Sequence, residues 1–99
     1  MYARMFEFEG SPEEIQAAVA LARDEILALE RQMPGFRGLL LLADTEARRL
    51  VSLSLWESEE QMQASEASAR MLTRLGAQSI GGKRVAIEPF DVALFELAT

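Results

Sequence analysis

Arg4, Ser52, Ser54, Trp56 and Ser65 are the residues of this chain whose types could do chemistry together. A guanidinium set among strand aromatics can pair with a phenolate or a carboxylate, because its charge is permanent and its N–H groups form a planar fork. An indole offers a flat apolar face and one N–H donor. Serine hydroxyls add hydrogen bonds to a small organic ligand. They are not nucleophiles unless a base takes their protons, and the 99 residues include no histidine. The usual imidazole roles of base, relay and haem ligand are therefore closed. Cysteine is absent too, which removes disulfides, thiolate catalysis and cysteine-bound metal.

Each of these residues has a plainer role beside the chemical one. Trp56 can anchor a strand-to-helix junction as a core or interface residue. Arg4 can form a salt bridge at a sheet rim, and serines are ordinary on the less buried face of an antiparallel strand. Tyr2, Phe6 and Phe8 can line an apolar wall or simply pack, and Arg37 beside Gly38 reads as structural. Glu57, Glu59, Glu60 and Glu66 gather at a helix start, where acids complement the dipole. A metal site needs ligands converging from separate elements, and nothing in the sequence shows that these acids do, so neither metal nor cofactor is expected.

The elements that must position these residues are legible from periodicity. Tyr2 to Phe8 alternates as a strand, with Tyr2, Arg4, Phe6 and Phe8 on one face. Ser11 is an N-cap with Pro12 at the first helical position and Glu14 closing a capping box. Ile15, Val19, Ala22, Ile26, Leu29 and Met33 then recur at helical spacing, while Gln16, Arg23, Glu30 and Arg31 fall off that stripe. Pro34 ends this helix near Gln32.

Phe36 to Leu42 reads as a second strand, and Asp44 to Ala47 as a hairpin turn. Leu50 to Trp56 is a third strand, with Val51, Leu53 and Leu55 on one face and Leu50, Ser52, Ser54 and Trp56 on the other. Ser58 starts a second helix with Gln61 at its third position. Its inner stripe is Met62, Ser65, Ala69, Leu72 and Leu75, and Gly76 is its C-cap. Val85 to Ile87 is a short extended piece before Pro89, whose neighbours Glu88 and Asp91 read as solvated, and Val92 to Leu97 is expected to be the last strand. The order β-α-β-β-α-β predicts an α+β ferredoxin-like sandwich: a four-stranded antiparallel sheet with both helices on one face.

Composition narrows the partners. Sixteen acids against ten bases give a net charge of −6, which opposes binding to nucleic acid or anionic membranes. The longest apolar run, Leu39 to Ala43, is too short to span a bilayer, and Met1 to Arg4 does not open a signal peptide. A single cytoplasmic domain over residues 1–99 is expected. Apolar residues make up 49% of the chain, and two helices can cover only one face of the sheet. The open face calls for a second copy, so a homodimer is expected.

Two segments carry a resemblance to a known family. Pro34-Gly35-Phe36-Arg37-Gly38 opens a strand, and Leu55-Trp56-Glu57-Ser58-Glu59-Glu60 runs from strand into helix. In these the chain resembles the antibiotic-biosynthesis-monooxygenase-like family of the dimeric α+β barrel superfamily, over nearly its whole length. The resemblance implies two sheets packed face to face across a dimer, with a pocket between helices and sheet in each subunit. It implies a cofactor-independent oxygenase acting on a small aromatic or quinol-like substrate, which supplies the electrons once deprotonated. The alternative is a non-catalytic dimeric domain that binds a small molecule or serves a structural role. The haem-degrading branch of the family is disfavoured. It needs an asparagine on the first strand, which is missing, a tryptophan where this chain has Ser65, and a histidine near Leu75.

Overall fold

The computed structural model describes residues 1–67 and 82–98. Four strands form one antiparallel sheet: β1 (Tyr2–Glu9), β2 (Phe36–Asp44), β3 (Arg49–Trp56) and β4 (Lys83–Asp91). Their order across the sheet is β2-β3-β1-β4, which makes β1 and β3 the central strands. The first helix follows β1 as α1 (Pro12–Leu21), a π-helical turn (Ala22–Ile26) and α2 (Leu27–Glu30). The second begins as α3 (Glu59–Ala64). This is the expected α+β sandwich.

Side-chain capping starts both helices. Ser11 Oγ accepts from the Glu14 N–H at 3.1 Å and the Glu14 carboxylate accepts from the Ser11 N–H at 2.8 Å, closing the capping box. Ser58 Oγ accepts from the Gln61 N–H at 3.2 Å. The segment before β2 is tied to the α3 entry, since the Glu57 N–H donates to the Gly35 carbonyl at 2.8 Å. Gly35 has a φ of 81°, and a β-carbon there would lie 2.1 Å from the Gln61 amide oxygen. Only glycine fits that contact.

Register sorts the two faces. Tyr2, Arg4, Phe6 and Phe8 of β1 stand opposite Trp56, Ser54, Ser52 and Leu50 of β3, and this is the face the helices cover. Phe8, Ile15 and Leu50 form its closed core, with Phe6, Ala18, Val19 and Leu41 packed around them. Each of the three buried side chains contributes roughly 1.5–3 kcal/mol. The serine-bearing face of β3 is thus the covered one, not the less buried one. Its other face carries Val51, Leu53 and Leu55, which are only half-buried.

Three expectations are corrected. The last strand is Lys83–Asp91 rather than Val92 to Leu97. Pro89, which lacks a donor, is tolerated because β4 is an edge strand. Glu88 and Asp91 accordingly belong to a strand and not to a loop. Beyond it the Val92 N–H still donates to the Met1 carbonyl at 2.9 Å, and the chain then runs on without regular structure to residue 98. Leu29 is 48% exposed and Glu30 is 8% exposed, the reverse of the expected stripe. The π-helical turn is the cause. It uses more residues to come round than an α turn, so every later side chain lags, Leu29 rotates to solvent and Glu30 takes its place. Finally, the hairpin turn begins one residue later than expected, because Asp44 still pairs with Arg49. Arg48 closes it in the left-handed region with a φ of 59°. Ala69, Leu72, Leu75 and Gly76 lie outside the described residues.

Candidate functional site

Arg4 is the centre of the covered face at the end away from the Phe8 core. Because β1 is a central strand, the side chain cannot reach a sheet rim, and it is buried. Nη1 donates to Ser65 Oγ at 3.2 Å and Nη2 donates to the Met62 carbonyl. Ser65 Oγ in turn donates to that carbonyl at 2.7 Å. Arg4 therefore ties β1 to the last turn of α3. A buried guanidinium needs such bonds, since its desolvation is otherwise uncompensated.

Trp56 forms the wall behind it. Arg4 Cζ lies 5.7 Å from the indole centroid, within cation–π range. Indole Nε1–H donates to Ser54 Oγ at 3.0 Å, and Phe36 meets the ring edge-on at 5.4 Å. Ser54 occupies the β3 position directly across from Arg4. Trp56 has no accessible surface, so its contribution is to fix Arg4 and Ser54 in place. Four of the five expected residues, Arg4, Ser54, Trp56 and Ser65, thus come together. Ser52 shares their face but stands farther along β3, opposite Phe6, half-buried and without a side-chain hydrogen bond among the described residues.

The helical stripe read from sequence leaves out Glu30. Rotated inward by the π-helical turn, it sits at the C-terminal end of α2 within the field of Arg4. Its carboxyl accepts no hydrogen bond from a described residue. Burial pushes its pKa up from the ordinary 4.5 to about 7, against a smaller opposing pull from the Arg4 charge. A sequence signal did exist: Ala22–Ile26 holds Arg23, Asp24 and Glu25 in succession, a polar turn in an otherwise apolar stripe. Nothing in it announces a π turn.

Permanent positive charge, a carboxyl that changes protonation near neutrality and two hydroxyls can bind and deprotonate a weak acid, then hold its anion. The model of the family described as antibiotic biosynthesis monooxygenase matches residues 1–73, and the chain belongs to that family. It is 33% identical over 95 residues to the uncharacterized protein Rv2558 of Mycobacterium tuberculosis, covering 95% of this chain and 39% of that protein. The chain thus spans about two-fifths of the length of the curated relatives it matches. Among solved structures, the monooxygenase from the gene ActVA-Orf6 of Streptomyces coelicolor, in complex with nanaomycin D, is similar with a TM-score of 0.69. Identity there is 22%, over 97% of this chain and 92% of that one. SnoaB, a cofactor-independent oxygenase from Streptomyces nogalater, gives a TM-score of 0.67 at 18% identity, over 95% and 94% of the two chains. At these identities the likeness establishes the fold.

Proposed function

We propose that the protein is a cofactor-independent oxygenase of a small hydroxyaromatic substrate, bound between sheet and helices beside Arg4, and that it works as a cytoplasmic homodimer. The observation that carries this reading is the buried guanidinium. A fixed cation screened from water stabilises a developing aromatic anion far better than an exposed one. An anthrone-type substrate then needs no cofactor. Converting its ring CH2 to C=O releases four electrons, which reduce dioxygen to the new carbonyl oxygen and one water. Similarity to SnoaB and to the ActVA-Orf6 protein supports the reading at the level of fold.

The dimer is supported by the open face of the sheet. Leu40, Leu42 and Phe90 are 48%, 52% and 48% exposed there, next to Leu53 and Leu55. A second copy of the same face is complementary to it by symmetry. No helix among the described residues is long and apolar enough to cross a membrane.

A second reading has its own observation. The bonds from Arg4 to Ser65 and to the Met62 carbonyl make it a tie between sheet and helix, and a non-catalytic binding domain needs nothing more. Oxygen uptake separates the two. Wild-type protein with 1,8-dihydroxyanthrone is expected to consume dioxygen above the uncatalysed rate, with one equivalent of quinone formed per dioxygen. Quenching of Trp56 fluorescence by the anthrone without turnover would favour the binding domain.

A further inference from the structure

We propose that Glu30 is the general base of this site, a catalytic residue that takes the proton whose loss starts the reaction. This rests on the oxygenase reading. Glu30 is 92% buried by exposure, lies on an apolar stripe, and accepts no hydrogen bond from any described residue. A carboxyl in so buried a residue without a protein hydrogen bond is uncommon, and a catalytic role is one of the reasons such a group is kept. The carboxyl is also not sealed, since no fully enclosed side-chain oxygen or nitrogen is left without a partner among the described residues.

Placement gives the group its task. The π-helical turn brings Glu30 to the buried side of its helix, where the Arg4 charge acts on it, and such turns are frequent at functional sites. Among the charged groups on surrounding elements, Arg4 of β1 acts on it. Arg31 on its own helix, Arg37 of β2, and Glu59 and Glu60 of α3 are exposed, and Glu66 is half-buried. On the covered face β3 presents Ser52, Ser54 and Trp56, none of them charged. A buried carboxylate and a buried guanidinium whose charge acts on it can divide the work. The ring C–H bond of a bound anthrone breaks and its proton forms an O–H bond on Glu30. The electron pair passes into the ring as an enolate, whose oxygen is stabilised by the Arg4 charge. Burial raises the pKa of the carboxyl and so makes its carboxylate a stronger base.

The test compares wild type, Glu30→Gln, Glu30→Asp and the exposed-site control Glu25→Gln, using 1,8-dihydroxyanthrone as probe. Aerobic oxygen uptake is followed from pH 5 to 9, and the absorbance of the enolate is read on the bound probe without oxygen. Uptake is expected to fall about 10²–10⁴-fold in Glu30→Gln. Glu30→Asp should recover part of it, and Glu25→Gln should match wild type. The wild-type rate should rise with a midpoint near 7, and that inflection should vanish in Glu30→Gln. Undiminished uptake in Glu30→Gln with an unchanged pH profile overturns the assignment and leaves the oxygenase reading standing. Enolate formation that depends on Glu30, without oxygen uptake, keeps the base and overturns the oxygenase. A wild type that neither binds nor oxidises the anthrone overturns both. Thermal unfolding of each variant separates loss of base from loss of fold.

Discussion

Glu30 and Arg4 are both buried and the Arg4 charge acts on the Glu30 carboxyl, yet they affect the protein in opposite ways. Arg4 is satisfied by its hydrogen bonds, whereas Glu30 carries the cost of burial without a partner. The pH dependence follows from that difference. Glu30 holds its proton up to about pH 7 in the folded state but only to about 4.5 when unfolded. The folded protein therefore binds the extra proton between those values, and its stability falls as pH rises through that window. The interval sets an upper bound of about 3 kcal/mol. Urea unfolding at pH 5 and pH 8 is expected to show the loss in wild type and little of it in Glu30→Gln, whose amide never ionises. Equal slopes with pH in the two proteins would contradict this. Arg4→Met removes the bonds to α3 and is expected to cost on the order of 1–3 kcal/mol, measured by the same unfolding. It also removes the positive charge that holds the Glu30 pKa down, so Glu30 should titrate higher in Arg4→Met than in wild type. An unchanged midpoint would show that the two charges do not interact.

At the scale of elements, the first helix shows how far the pattern of residues could be read. Ser11, Pro12, Glu14 and Pro34 mark its ends by local chemistry: it starts where expected and ends at Glu30, two residues before Gln32. Which side faces the sheet was legible as far as Ala22, because regular α geometry holds to Leu21. After the π turn the lag accumulates, and Leu29 and Glu30 exchange roles. A periodic reading assumes one residue count per turn and cannot see a local change in it. Deletion of Asp24, an exposed residue inside the π turn, is expected to restore a regular helix. Because the turn behaves as a one-residue insertion, residues after it should keep their direction, and Glu30 should stay buried with its raised pKa. A return of that pKa to the ordinary carboxylate range in the deletion variant would contradict the register account. The covered side of β3 was obscured for a different reason. Ser52 and Ser54 look solvated by composition, yet Ser54 is buried because it accepts from the Trp56 indole and so brings its own partner. The final strand was displaced toward Val92 because Pro89 argues against a strand, an argument that has no force at an edge.

The whole molecule has one face closed by helices and one left apolar. The order of strands and helices was legible because each element carries both its period and its boundary residues. Arg4, Ser54, Trp56 and Ser65 were legible as types, but their convergence depends on β1–β3 register and on α3, which one sequence does not display. On the open face Glu7 and Arg49 form an ion pair, but such a partly exposed pair is worth little beside the leucines around it. Leu94, Phe95 and Leu97 add further exposed apolar surface after β4. Sedimentation is therefore expected to find about twice the 11.0 kDa of one chain. A variant with Leu40→Glu and Leu42→Glu together should shift to monomer while retaining its helix content. A wild-type monomer at micromolar concentration would remove the dimer from the account without touching the site. The proton-transfer role rests on one physical claim, that the Glu30 carboxyl lies largely inside the fold, without a hydrogen bond from a described residue and under the influence of the Arg4 charge. Its most direct measurement is the carbon-13 chemical shift of the Glu30 carboxyl followed from pH 3 to 9 in the whole protein. A midpoint near 7 is the expected result, and a midpoint near 4.5 would place Glu30 in solvent and contradict the account.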